Sequence, residues 1–206
     1  MEKVIQIEEG RSAAFRASAF SPIQYNRLFP GRDFMRDMDE LRSMDSKAKE
    51  EAKAKGEQGG EEKTFFTIEE YELFVRISYT FAYQALSPTP RVSEEQRKFL
   101  KEYPDPWAWI DSMNTFSIYQ ILPEIVDLWF GGAVQVASSK KKIEPTVREV
   151  LTSTYLLRCT QMGLALTELD LLEYGMVLDM MIESGNDTVE YPKKATQAQY
   201  REFIGG

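Results

Sequence analysis

The stretch TIEEYELFVRISYTFAYQAL, residues 67–86, decides the fold of this chain. It opens on a capping-box pattern, Thr67 followed three residues later by Glu70, in which two side chains bond free N–H groups at the start of a helix. Apolar and small residues then recur at steps of three and four along one broad face, as in an amphipathic helix: Ile68, Tyr71, Phe74, Val75, Ser78, Phe81, Ala82 and Ala85. The stretch predicts the central helix of a mainly α-helical module.

A short β-hairpin and a first helix are predicted before this stretch. The opening KVIQIEEGRSAAFRAS, residues 3–18, places apolar residues on both sides of a turn at Gly10, which indicates two short strands. The next segment has Ser21 as an expected cap, Pro22 at the first helical position and Gln24 where a capping box needs it. We therefore expect a hairpin followed by a helix.

A second helix is expected from about Arg32 to Met44, after a break at Pro30 and Gly31. Residues 45–63 are charged, contain several glycines and lack any large apolar side chain, so they bury too little surface to offset chain entropy. We interpret them as a mobile charged loop, with a solvated extension of the helix as the alternative.

Further helices complete a predicted N-terminal module of residues 1–132. Ser93 and Gln96 form another capping box, and Asp105 opens a long helical run. Pro123 lies within that run, and because proline disrupts a helix interior we expect a kink or a break just before it.

Residues 133–145 are interpreted as a linker, and residues 146–206 as a C-terminal helical extension. The first helix of the extension should end at Gly163. Thr167 and Asp170 match a capping box for the next helix, which Gly185 should close, and a last short helix is expected at residues 195–203.

Composition excludes several classes of function. The net charge of −8 disfavours binding to a phosphate backbone, and a protein without any histidine lacks the usual residue for proton transfer and metal binding. One cysteine excludes an internal disulfide, no segment is apolar for the length of a membrane span, and the start lacks the apolar core of a signal peptide. We expect a soluble intracellular protein that binds no nucleic acid, membrane or cofactor.

Acidic residues of the extension offer one candidate site, either for a metal ion or for acid–base chemistry: Glu168, Asp170, Glu173, Asp179, Glu183 and Asp187. Their spacing is not that of a calcium loop, and Gly185 with Asn186 is ordinary helix-ending chemistry, so a structural role is favoured. Cys159 lacks a histidine to act as its base and is expected to be a buried small residue.

Tryptophan and methionine are the candidates for partner binding. Tryptophan is enriched at binding hot spots and methionine adapts to varied apolar partners, although both also pack cores. The candidates are Trp107, Trp109, Trp129, Met162, Met176, Met180 and Met181. Residues 143–206 contain five Lys and Arg against ten Asp and Glu, so the extension is also the more acidic part of the chain.

Three motifs resemble the tail assembly chaperones of long-tailed bacteriophages and of prophages of Gram-positive bacteria. They are GRDFMRDMDEL (31–41), TFSIYQILPEIVDLWFG (115–131) and, above all, the segment from about Leu151 to Phe203, LTSTYLLRCTQMGLALTELDLLEYGMVLDMMIESGNDTVEYPKKATQAQYREF. The resemblance spans nearly all of the chain except residues 45–63. The sequence departs from the family at EYGMVLDMMIES and YPKKATQAQY, which leaves the residues that contact partners unassigned.

The resemblance implies a non-enzymatic protein that coats the tape measure protein through its first module and recruits tail tube protein through the extension. Self-association is a further option. In this family a programmed ribosomal frameshift joins two reading frames, and Lys140, Lys141 and Lys142 are then the candidate seam, encoded by an A-rich slippery run. Such a chaperone acts in the bacterial cytoplasm and is not expected in the mature virion.

Two alternatives remain at the level of the sequence. The first is a small metal-dependent hydrolase that uses the carboxylates of residues 168–187. The second is a helical regulatory adaptor unrelated to phage.

Overall fold

The computed structural model describes residues 1–8, 10–56, 66–87, 91–113, 116–131 and 150–186. Within these ranges the chain forms one antiparallel hairpin, eight α-helices and a 3₁₀ turn. In chain order they are β1 (Glu2–Glu8), β2 (Arg11–Arg16), α1 (Ser21–Leu28), α2 (Phe34–Gly56), α3 (Ile68–Ala85), α4 (Glu94–Glu102), α5 (Pro106–Asp111), α6 (Ile118–Phe130), α7 (Thr152–Gln161), the 3₁₀ turn (Glu168–Leu171) and α8 (Tyr174–Asn186). The mainly helical fold with an N-terminal hairpin confirms the prediction.

Helix α3 is the central element. It contacts β2 and the helices α1, α2, α4, α5 and α6. Between Leu73 and Gln84 every residue except Arg76 is buried, which is the pattern of a helix enclosed on all sides. Its start is as predicted, because Thr67 and Glu70 form both bonds of the capping box.

The hairpin covers one side of this core. Its strands pair with Ile5 opposite Ala13 and Val4 opposite Ala14, and the turn uses Gly10 in the left-handed region. Ile5 and Ile7 point inward on β1 and are buried, whereas Val4 and Gln6 on the opposite face are exposed. This alternation confirms the predicted strands.

Of the two interpretations of residues 45–63, the helix extension is confirmed for the first part and the loop is wrong there, because α2 continues as a helix to Gly56. The segment is rich in alanine, lysine and glutamate, which favour helix even without an apolar face. Asp45 is also buried and binds Lys49 one turn later, which adds local support. Residues 57–63 lie outside the described residues.

The predicted cap at Ser21 is also wrong. Helix α1 includes Ser21 and has no side-chain cap, although Pro22 lies at its start as expected. The Ser21 hydroxyl instead accepts the Ser18 N–H and donates to Gln84 Oε1, at 3.1 and 2.7 Å. A tertiary contact has therefore replaced the local capping bond, and Gln24 is buried without that role.

Helix α6 corrects the expected break before Pro123, because it runs through that residue. The break lies earlier, between α5 and α6, and α5 begins as predicted with Asp105 capping the Ala108 N–H. Pro123 removes the hydrogen bond to the carbonyl four residues before it, and its ring crowds that carbonyl. The neighbours Leu122 and Ile125 are buried, so core packing supports the helix on both sides.

The described part of the C-terminal extension packs into the same hydrophobic core as the N-terminal module. Tyr155, Cys159, Leu169, Tyr174 and Val177 belong to one cluster with the core residues of α2, α3 and α6. The linker proposed at residues 133–145 and the last helix proposed at 195–203 lie outside the described residues.

Two expectations for the helix boundaries of the extension are corrected. Helix α7 does stop just before Gly163, as expected, and the φ of +85° at Gly163 is the left-handed value typical of a glycine that follows a helix C-cap. Thr167 and Asp170, however, form no capping box; a 3₁₀ turn follows Thr167, and α8 begins only at Tyr174. Helix α8 then continues through Gly185 to Asn186, where the described segment ends.

No helix in the part of the chain that the structure describes combines the length and the apolar character that crossing a membrane requires.

Asp33 joins the extension to the N-terminal module through helix capping. It precedes α2 and accepts the Arg36 N–H at 3.2 Å, as a local cap does. The same carboxylate accepts the N–H of Thr152, the first residue of α7, at 3.0 Å and its hydroxyl at 3.1 Å. One side chain therefore caps two helices that are more than a hundred residues apart in sequence.

We predict that Asp33→Ala lowers the free energy of unfolding by about 2 kcal/mol, since two helix starts lose their acceptor. Thr67→Ala, which removes a single cap, should cost about 1 kcal/mol. Asp33→Asn keeps an acceptor and should cost less than Asp33→Ala. Urea denaturation of the three variants measures this order, and equal costs for Asp33→Ala and Thr67→Ala would contradict it.

Candidate functional site

A buried ion pair fixes how the extension sits on the hairpin. Arg16 at the end of β2 contacts both carboxylate oxygens of Asp170 at 3.2 and 3.3 Å and donates to its backbone carbonyl at 2.8 Å. Ser18 and Gln84 also donate to the Asp170 carboxylate, at 3.0 and 3.2 Å. Only 1 % of the Asp170 side chain is exposed, so this charge depends on those three partners.

An aromatic stack holds α8 in place. Tyr174 lies parallel to Trp129 of α6 at a centroid distance of 4.3 Å, and Trp129 meets Phe34 edge to face at 4.8 Å. Burial raises the pKa of Tyr174 to about 12, with a further contribution from the negative charge of Asp39. The phenol therefore stays neutral even at an alkaline pH where an exposed tyrosine would ionise, and an uncharged ring can stay in the core.

The outer sides of α7 and α8 carry exposed apolar side chains. Leu157 is 55 % exposed, Met176 50 % and Met180 38 %. Met162 and Met181 are half-buried and line a groove of about 450 Å³ together with Arg158, Gln161, Ser184 and Gly185. We call Leu157, Met162, Met176, Met180 and Met181 the methionine surface. Of the four predicted methionines, Met176 and Met180 are exposed, whereas Met162 and Met181 pack partly against the core.

The charges around the methionine surface are mainly negative. Between residues 150 and 186 the chain has five carboxylates and one cation, Arg158, which donates to Gln161 at 2.9 Å. Asp170 is paired with Arg16 and Glu173 with the ammonium group of Met1, and two of the remaining three carboxylates, Asp179 and Glu183, lie on α8 beside Met176 and Met180. The methionine surface is thus apolar with an acidic flank.

A second apolar surface lies on the N-terminal module. Trp107 is 42 % exposed and packs on Tyr71 at 6.0 Å, and Phe66 packs on Tyr119 at 5.4 Å. Ile68, at the start of α3, is 75 % exposed. We call these five residues the aromatic patch.

The other two predicted tryptophans are core residues. Trp109 is 4 % exposed and contacts Phe15, Tyr79 and Phe116, and Trp129 is 2 % exposed beneath Tyr174. Neither can contact a partner in this structure. Both follow the alternative given above, that tryptophan packs the core.

The carboxylates suggested as a metal site do not converge. Asp170 is paired with Arg16, Glu173 lies 3.6 Å from the ammonium group of Met1, and Glu168 accepts the Ala165 N–H. Among the described residues, no group of three or more acidic, histidine or cysteine side chains could hold a metal ion. Asp187 and the proposed seam at Lys140, Lys141 and Lys142 lie outside that part of the chain.

Cys159 is fully buried on α7, as expected from the sequence. Burial raises the pKa of its thiol, so the thiolate is disfavoured.

The spacing of apolar residues along α7 and α8 contains a signal for the methionine surface. Tyr155, Cys159 and Met162 follow the inward stripe of α7, and Leu157 falls outside it. In α8, Tyr174, Val177 and Met181 form an inward stripe, while Met176 and Met180 form a second apolar row on another face. A helix with two apolar rows has one more than its own core needs.

No family model, curated protein or solved structure matches this chain.

We predict that Arg16→Met lowers the free energy of unfolding by about 3 to 5 kcal/mol, because Asp170 is left buried without its counter-charge. Asp170→Leu should be costly for the reciprocal reason. The double variant Arg16→Met/Asp170→Leu should lose less than the sum of the two single losses, because it buries no unpaired charge. Urea denaturation of the wild type, the two single variants and the double variant gives the four free energies of this double-mutant cycle. Additive losses would contradict the pairing.

Labelling of Cys159 provides an independent measurement of the same cycle. The thiol is the only one in the chain and becomes accessible when α7 leaves the core. The single variants should be labelled faster than the double variant under native conditions.

Proposed function

We propose that this protein is a tail assembly chaperone of a long-tailed bacteriophage or prophage, in the extended form joined by a frameshift. Its N-terminal module binds the tape measure protein, and its extension recruits tail tube protein. It works in the bacterial cytoplasm, without catalysis or a cofactor, and leaves before the virion is complete.

The observation that carries the proposal is the presence of two exposed apolar surfaces on a chain whose core is already filled. The aromatic patch belongs to the N-terminal module and the methionine surface to the extension. Exposed apolar patches mark sites of interaction, because binding a partner removes their apolar surface from water, which is favourable. Each proposed partner thus has a surface available to it.

The aromatic patch suits a partner with exposed apolar helices. The family resemblance implies that the tape measure protein is such a partner, one that aggregates unless it is covered. Trp107, Tyr71 and Tyr119 offer large rings with polar tips, the type of side chain that is enriched where a surface is buried on binding.

A helical regulatory adaptor would use the same two surfaces, and the neighbouring gene separates it from the chaperone. A very long helical reading frame directly downstream supports the tail assembly role. No contact among the described residues favours the metal-dependent hydrolase.

We predict that co-expression with the downstream long helical protein keeps that protein soluble. Trp107→Ser and Ile68→Ser should each weaken the interaction by about 2 kcal/mol, the size typical of a hot spot. Val92→Ser is the matched control, since Val92 is exposed to about the same degree as Trp107, on the same module, but lies outside the aromatic patch. The soluble fraction of the long protein is the readout. No gain in solubility with the wild-type chain, or an equal loss with Val92→Ser, would refute the assignment.

Recruitment of tube protein is best tested with surface variants instead of a truncation. Deleting residues 143–206 would remove Asp170 and Tyr174 and expose the core. We predict that Met176→Ser/Met180→Ser reduces the tube protein recovered in a pull-down and leaves the tape measure protein soluble. Val150→Ser, an exposed position of the extension outside the methionine surface, should change neither. Full recovery with the double variant would contradict recruitment through this surface.

A further inference from the structure

We draw no further inference here: the strongest candidate, the outer edge of strand β1, where the backbone N–H and C=O groups of Glu2 and Val4 point away from β2, carries nothing because nothing in the structure shows what pairs with it.

Discussion

The pairing of Arg16 with Asp170 is the constraint on which the rest of the structure depends. It places a charge from the extension between the hairpin and α3, where Ser18 and Gln84 complete its hydrogen bonds. Such a pair adds little net stability over apolar side chains of similar size, because desolvating both charges is costly. Its effect is instead to penalise every arrangement of the extension that leaves either charge unpaired. The position of α7 and α8, and hence of the methionine surface, follows from that penalty.

Local signals predicted the parts of the fold that local interactions decide. The caps at Thr67, Ser93 and Asp105 form as the sequence indicates, since each acceptor binds an N–H three residues away. The same reasoning failed at Ser21 and at Asp170. Both match a capping pattern, but each bonds to residues distant in sequence, and the partners Gln84 and Arg16 lie in other elements. A capping motif fixes a helix start only where no tertiary contact competes for the side chain.

The candidate site could be predicted only in part, for a related reason. Composition indicated methionine and tryptophan as contact residues, yet burial separates Trp107 from Trp109 although they are two residues apart. Which face of a helix points outward depends on neighbours from elsewhere in the chain. For α8, one such neighbour is Trp129 of α6, on which Tyr174 stacks. Leu157 and Tyr119 become candidates only through exposure, and Ile68, counted in the apolar face of α3, is exposed at the first turn of that helix. The sequence shows that these helices have more apolar positions than one buried face needs. It does not show which of those positions are exposed.

Holding both surfaces on one core has a consequence for the proposed role. A flexible tether would let the aromatic patch and the methionine surface move independently, and a second binding event would then gain only the modest effective concentration that a tether provides. The contacts of Asp33 with Thr152 and of Arg16 with Asp170 instead set a fixed spacing between them. A fixed spacing favours partners whose own sites match it and disfavours others. In a chaperone that brings two different proteins together, the docking of α7 and α8 therefore contributes to selectivity as well as to stability.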